Sequence, residues 1–428
     1  MKVALVNPPW DFRNSIYFGC RSPHLPLELG YAAALLKRAG HDALLIDAHM
    51  MDLSPEHTAD LVDEYRPDMT VVTTAPSYLF WRCAPPELRV PREFLDCLAD
   101  RGGMRVAVGP HASATPRSTL NKLGADVVIR GECEEAIARL AETSPAATPG
   151  TAYRNGEEII INGAPLAARF VDAPALAWDS GFVHEHTHHH HRYGTCGEGF
   201  GAEIEASRGC PYSCTFCAKM DYRDKYRRRD LPLLIEEIDR LLTQGVRYLY
   251  FIDEIFLPNR PLLEALVDRD VEFGVQTRID LWKPNMLALL GKAGCVSIEA
   301  GVESLSREGR DALAKQCRLG TEELTELLIK AREHVPFVQA NLISMAGDEA
   351  DVVARWRKRL QSRGVWANDP VPLYPYPSSP DYWRLFGAPD DRAWERAHEH
   401  YLGQFSTFSD IQDEHPLPLD ELEARCHC

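Results

Sequence analysis

Apolar and polar positions follow two periods along the chain, and the switches between them mark its elements. Short β-branched runs at residues 3–6, 43–47, 69–74, 106–109 and 127–130 read as buried strands. Between them the spacing lengthens. Leu27–Arg38 carries apolar residues at helical intervals and stops at Gly40, a suitable C-cap; residues 58–65 and a segment around Leu120 behave likewise. Strands alternating with helices over residues 1–142 predict an α/β, doubly wound parallel sheet of Rossmann-like kind. Residues 143–200 break the pattern and read as a linker. It holds a loop at 144–150, a small hairpin around Asn155-Gly156 and a histidine-rich loop with His184, His186, His188, His189, His190 and His191. Alternation resumes over 201–375, with strands at 203–207, 247–252, 272–277, 296–299, 337–344 and 371–376. Leu231–Thr243 is an amphipathic helix between the first two. Six such units predict a partial (β/α)6, TIM-like barrel, whose active face lies at the strand C-terminal ends. Residues 376–428, aromatic and charged, read as a helical cap padding the barrel mouth.

Composition narrows the classes. The 428 residues are 45% hydrophobic and 26% charged, as in a globular enzyme. An excess of 63 acidic over 47 basic residues gives a net charge of -16, which argues against nucleic acid as a main partner. No apolar run approaches the roughly 18 residues of a membrane span. The opening run ends at Pro8-Pro9 without a cleavage site and reads as a strand rather than a signal peptide. Twelve dilute cysteines fit a reducing cytoplasm.

Three of those cysteines carry the most chemical information. Arg208-Gly209-Cys210-Pro211-Tyr212-Ser213-Cys214-Thr215-Phe216-Cys217 spaces its thiols as Cys-x-x-x-Cys-x-x-Cys. A loop this tight can wrap one iron–sulfur cubane but supplies three of the usual four thiolates, leaving one iron open for a ligand. Zinc is an alternative, although no second Cys or His pair follows at zinc-finger distance; structural cysteines are another. The His-rich loop is either a solvated loop, a metal site, or a contributor to the active site. Cys196 is a candidate extra ligand or resolving thiol, and Cys426-His427-Cys428 a candidate metal ligand set on a terminus of the kind that frays. Arg223, Lys225, Arg227, Arg228 and Arg229 form a basic run. Asp221, Asp224 and Asp230 partly neutralise it, so most of it reads as solvated, with gripping of an anionic substrate or partner as the other reading.

The loops at the first sheet's strand ends, Asn7-Pro8-Pro9-Trp10, Thr74-Ala75-Pro76-Ser77, Gly109-Pro110-His111 and Gly131-Glu132, are where ligands bind in such folds. With Pro26-Leu27-Glu28-Leu29-Gly30-Tyr31 they resemble the cobalamin-binding domain found ahead of many radical S-adenosylmethionine enzymes. The resemblance implies that Asn7, Pro8, Pro9, Leu29, Gly30, Thr74, Ala75, Pro76, Gly109, Pro110, His111, Gly131 and Glu132 cradle the corrin. Asp47-Ala48-His49 resembles the start of the cobalt-ligating Asp-x-His-x-x-Gly motif. Asp52 stands in the Gly position, however, and the motif follows the second strand instead of the first. His49 therefore reads as a polar loop residue, and no histidine is expected beneath the cobalt.

The cysteine loop, Tyr250-Phe251-Ile252-Asp253-Glu254-Ile255-Phe256, Gln276-Thr277-Arg278, Ile298-Glu299-Ala300-Gly301-Val302-Glu303-Ser304 and Pro372-Leu373-Tyr374-Pro375-Tyr376-Pro377 resemble the radical S-adenosylmethionine superfamily in order and spacing. This resemblance implies a 4Fe-4S cluster on Cys210, Cys214 and Cys217, with S-adenosylmethionine chelating the open iron. It further implies that Asp253 or Glu254 accepts from the ligand's ammonium, that Gln276, Arg278, Glu299 and Glu303 hold its ribose and carboxylate, and that Phe216 shields the cluster. For Glu303 and Arg278, a rim ion pair is the competing structural reading. Met345-Ala346-Gly347-Asp348-Glu349 departs from the Gly-x-Pro-Gly-Glu turn of relatives, and Ser378-Ser379 replaces Gly-Thr. The implied activity is generation of a 5′-deoxyadenosyl radical and methylation of an unactivated carbon of a small metabolite through methylcobalamin. An external flavodoxin- or ferredoxin-type protein would donate the electron. A non-methylating rearrangement, cyclisation or oxidation is the alternative, and a non-catalytic cobalamin or redox sensor the alternative of another class.

Overall fold

The computed structural model describes residues 1–16, 22–77, 84–166, 169–186, 200–219, 223, 225–404 and 416–424. Cys20, Cys83, His188, His189, His190, His191, Cys196, Asp221, Asp224, Cys426, His427 and Cys428 lie outside the described residues. The chain forms two compact units: one of Met1–Arg169, Cys217–Asp224 and Tyr374–Cys428, the other of Phe170–Phe216 and Lys225–Leu373. The boundary passes through the cysteine loop, between Phe216 and Cys217.

In the first unit, β1 (Lys2–Asn7), β2 (Asp42–Asp47), β3 (Met69–Thr73), β4 (Met104–Val108) and β5 (Val127–Ile129) form a parallel sheet ordered β2-β1-β3-β4-β5. Val3, Leu5, Val71, Val106 and Val108 pack on one side, and Ala4, Val6, Val72, Ala107 and Val128 on the other, as expected of strands covered on both faces. The order in which strands are added reverses between β1 and β3, the switch point at whose strand C-terminal ends such sheets open a crevice. The expected hairpin, β6 (Thr151–Asn155) and β7 (Glu158–Ile161), turns at Gly156 with φ +63°; it is not isolated, for β6 pairs antiparallel with β5 and extends the sheet.

Aromatic residues of the tail and of the stretch just ahead of it join the first unit's core. Tyr374, Tyr376, Tyr382, Trp394 and Tyr401 are buried with Leu5, Leu29 and Val71. Lys122 ties the tail down by ion pairs of 2.8 Å to both Glu395 and Glu423.

The second unit is a six-stranded parallel sheet ordered β15-β14-β13-β12-β11-β8, the ladder of an incomplete barrel. Its strands are β8 (Phe200–Ile204), β11 (Val246–Phe251), β12 (Glu272–Thr277), β13 (Cys295–Glu303), β14 (Phe337–Leu342) and β15 (Trp366–Ala367). A short antiparallel pair, β9 (Ser207–Arg208) with β10 (Arg227–Arg228), flanks the cysteine loop. The sixth strand is displaced from the expected 371–376 to β15. Pro372 and Pro375 have no N–H to give a ladder, and Val371 makes only an isolated bridge to Ile343. The helix Leu231–Thr243 starts where Asp230 accepts from Leu233 N, and it buries Leu234, Ile238 and Leu241. Among the described residues no helix is long and apolar enough to cross a membrane.

The basic run is only partly solvated. Arg229 is fully buried against Glu237 at 2.6 Å, and Leu176 N donates to the same carboxylate oxygen at 2.6 Å. Removing one member of a buried pair leaves the other charge uncompensated. Glu237→Ala is expected to cost about 3–5 kcal/mol in urea unfolding of the full chain, and Glu237→Gln less; an unchanged midpoint for both would contradict this packing.

Candidate active site

The cysteine loop has little core of its own, and its backbone is held by carboxylates at the end of β11. Asp253 Oδ1 accepts from Ala206 N at 2.9 Å, and Ser207 Oγ donates to Asp253 Oδ2. Glu254 Oε2 accepts from Gly209 N at 2.6 Å, where the backbone takes φ +77°, a value glycine adopts without strain. Further along, Thr215 N donates to Leu313 O at 3.0 Å. Arg208, buried beneath the loop, forms a forked pair with Glu205 and lies 4.5 Å over the Phe170 ring. Burial pushes the Asp253 carboxyl up from 3.8 to about 8, despite its bonds to Ser207 and Ala206. Asp253 and Glu254, assigned to a ligand's ammonium from sequence, are thus already engaged in shaping the loop.

Cys210, Cys214 and Cys217 form no disulfide. Cys214 is buried, and burial raises its pKa, opposed by the positive charges of Lys315 and Arg278. Among the described residues no three His, Cys, Asp or Glu side chains converge as one metal ion would require. A single tetrahedral ion draws sulfurs to roughly 3.8 Å of one another, whereas a cubane presents separate irons at its corners. The three thiols lie on one loop whose backbone Asp253 and Glu254 hold. Phe216 sits half-buried between Thr215 and Cys217.

The neighbouring strand ends supply polar side chains in register. Gln276, Glu299 and Gln339 line up across β12, β13 and β14, and Gln276 Nε2 donates to Glu299 Oε2 at 2.8 Å. Arg278 and Glu303 do not pair with each other. Arg278 grips Asp280 with two bonds of 3.1 and 2.8 Å, while its guanidinium stacks 4.0 Å from the Tyr212 ring of the cysteine loop. Glu303 follows a register shift in the β13–β14 pairing and holds φ +67°, rare for a residue with a side chain. Its Oε1 accepts from Lys315 Nζ at 2.7 Å. Lys315 is 1% exposed and flanked by Ala314 and Gln316, both at positive φ, a strained turn that keeps an ammonium inside. No motif or period in the sequence marks Lys315. The unusual 345–349 turn has a structural use, because Asp348 accepts from Ser304 Oγ, Leu305 N and Ser306 N and fastens the loop after β13.

In the first unit the named loops gather at the C-terminal ends of β1, β3, β4 and β5. Asn7 joins three strands: its Nδ2 donates to Asp47 at 2.8 Å, and its Oδ1 accepts from Trp10 Nε1 at 2.7 Å and Thr73 Oγ1 at 3.4 Å. Pro8, Ala75 and Pro76 are buried beside it, Pro9 is half-buried, and Leu29 and Gly30 are buried on the helix Leu27–Arg38. Thr74 Oγ1, at the β1/β3 crevice, is buried with no hydrogen-bond partner among the described residues, an atom that a bound ligand would satisfy. Gly109 and Gly131 take φ +124° and +79°, and Ser113 Oγ bridges them, donating to Gly109 O and accepting from Gly131 N.

Two of these residues are committed to the protein. His111, behind Pro110, is 1% exposed and stacked 4.0 Å from Trp394; burial holds its pKa down at about 3, so it stays neutral. Glu132 faces Arg223 at 3.9 Å, as does Glu28, forming a triad that is almost wholly buried. His49 occupies the turn after edge strand β2, beside Phe12.

Comparison with known proteins agrees with both halves. Residues 204–353 match the family model of the Radical SAM superfamily, and residues 20–141 that of the B12 binding domain. The anaerobic magnesium-protoporphyrin IX monomethyl ester cyclase of Cereibacter sphaeroides is 28% identical over 367 residues, covering 80% of this chain. The chain spans 56% of that cyclase's length. The hopanoid C-3 methylase of Methylococcus capsulatus is 28% identical over 401 residues, 87% of this chain and 71% of the methylase. Among solved structures, the radical S-adenosylmethionine methyltransferase TsrM of Kitasatospora setae has the same fold, with TM-score 0.70, 18% identity, and coverage of 90% of this chain and 76% of its own. With a B12 binding domain ahead of a radical S-adenosylmethionine domain, the chain belongs to the cobalamin-dependent branch of that superfamily.

Proposed function

We propose that the protein is a cobalamin-dependent radical S-adenosylmethionine enzyme that methylates an unactivated carbon of a small metabolite. The observation that carries this reading is the pinned loop of three cysteines outside any disulfide, with the cations Lys315 and Arg278 acting on Cys214, in a chain that also holds a B12 binding domain. Bound there, a 4Fe-4S cluster with S-adenosylmethionine supplies a carbon radical by reductive cleavage, and cobalamin supplies the methyl group.

The residues divide the work. Cys210, Cys214 and Cys217 hold the cluster, and Lys315 and Arg278 offset its negative charge. Lys315, already inside and paired on one side with Glu303, is placed to take a ligand carboxylate. Gln276, Glu299 and Glu303 offer acceptors and an amide to ribose hydroxyls. Asn7, Thr74, Gly109 and Gly131, with the prolines between them, shape the floor for the corrin, and neutral His111 adds no charge there. An external one-electron donor and a reducing cytoplasm are the proposed setting, in keeping with described cysteines that form no disulfide. The similarity to the cyclase favours a second reading, cyclisation without methyl transfer.

Anaerobic reconstitution with iron, sulfide and hydroxocobalamin is expected to give a corrin spectrum, a site-differentiated cluster and 5′-deoxyadenosine. Product mass then separates the readings, a gain of one CH₂ unit for methylation and none for cyclisation. Cys214→Ala should abolish deoxyadenosine formation, and normal yield from that variant would refute the cluster assignment.

Asp253 sets a pH dependence. Its folded pKa is raised, so the stability it contributes is complete below its ordinary 3.8 and is lost as pH climbs through about 8. Across about pH 5 to 9, Tm of the wild type should fall more steeply than Tm of Asp253→Asn, whose amide stays neutral; parallel slopes would count against a buried, protonated Asp253.

A further inference from the structure

The exposed residues of the basic run, Lys225 and Arg228, lie just ahead of β10 and on it, and β10 pairs with the strand that feeds the cysteine loop. Arg227 pairs with Arg208 and Arg228 with Ser207, and Arg208 is two residues from Cys210. Strands pair at about 4.8 Å and rise about 3.3 Å per residue, so the β10 backbone lies within roughly 12 Å of the first ligand cysteine. Arg208 and Arg229 are buried against Glu205 and Glu237, and their charges are internally compensated. Lys225 and Arg228 are exposed, and among the described residues neither pairs with a carboxylate. The Arg228 bonds run to neutral acceptors, Tyr226 Oη at 3.1 Å and Pro258 O at 3.2 Å, which hold the guanidinium outward with its charge intact.

An apolar residue completes the patch. Val171 is 53% exposed, and its carbonyl accepts from Asp230 N, two residues beyond Arg228. Asp172 and Asp230 flank it; the Asp230 carboxylate caps the helix Leu231–Thr243. Apolar Val171 and half-buried Tyr226 beside the exposed cations Lys225 and Arg228 have the make-up of a docking site for a protein.

We propose that Lys225, Tyr226, Arg228 and Val171 form the docking surface for an acidic one-electron carrier protein that reduces the cluster. This rests on the cluster reading above. The net charge of -16 repels an acidic partner over most of the surface, so a cationic strand beside the cluster loop is where encounter becomes favourable and oriented. Each encounter transfers one electron: the carrier is oxidised by one, the cluster reduced by one, and no bond or proton moves.

The test uses the full chain, a reduced acidic flavodoxin as probe, and Lys225→Glu/Arg228→Glu with the milder Lys225→Gln/Arg228→Gln. Binding of flavodoxin to the iron-free chain should weaken about tenfold or more in the charge-reversed form at low salt, and its salt dependence should flatten. Stopped-flow reduction of the reconstituted cluster by flavodoxin should slow in parallel, while reduction by dithionite keeps the wild-type rate. If both variants bind and are reduced by flavodoxin like wild type at every ionic strength, the proposal is overturned. It is equally overturned if the variants alter only the KM for the small-molecule substrate with dithionite present, which would make the patch an anion site. Failure of dithionite to reduce any cluster in the wild type would instead remove the cluster reading beneath it.

Discussion

Two adjacent carboxylates at the end of one strand govern the candidate site. A ten-residue stretch containing three cysteines, a proline and a glycine has no regular hydrogen bonding to define it, and left to itself it would sample many shapes. Asp253 and Glu254 remove that freedom by accepting from Ala206, Ser207 and Gly209 just ahead of Cys210. Because the parallel ladder fixes where β11 ends relative to β8, the sheet register is carried directly into the placement of the thiols. Positive charge then enters from farther along the chain, through Arg278 on Tyr212 and Lys315 beside Glu303. That charge is what a buried cluster of thiolates requires, since an uncompensated anion in low dielectric is costly.

Buried ions recur in this protein wherever an irregular segment must be held. Arg229–Glu237 anchors the stretch around Leu176 to the helix Leu231–Thr243, and Arg223 lies between Glu28 and Glu132; the half-buried Lys122 secures the tail in the same way. Such pairs gain little net stability over apolar packing, but breaking one is expensive, so they select one arrangement among many. In the first unit this places segments from distant parts of the chain around the strand ends where Asn7, Thr74, Gly109 and Gly131 meet. Near those strand ends Glu132 pairs with Arg223 and His111 stacks on Trp394.

Local information made much of this readable in one dimension. The strand and helix periods located five parallel strands of the first sheet and five of the second, because side-chain burial on a covered sheet repeats within a few residues. The Cys-x-x-x-Cys-x-x-Cys spacing specified a three-thiolate loop for the same reason: its meaning lies in eight consecutive residues. The sixth barrel strand was misplaced at 371–376, where the apolar and aromatic residues Val371, Leu373, Tyr374 and Tyr376 suggest a strand but Pro372 and Pro375 remove ladder donors.

What the tertiary structure alone decided is which distant groups face each other. Lys315 and Glu303 lie twelve positions apart on a bulge and a strained turn, Arg278 pairs with Asp280 and not with Glu303, and the tail's tyrosines are buried in the first unit's core. The exposure of Lys225 and Arg228 beside the buried Arg229 likewise follows from strand pairing and not from composition. Charge partners and burial depend on three-dimensional proximity, which no period or motif encodes; the sequence by itself determined the elements and the ligand chemistry.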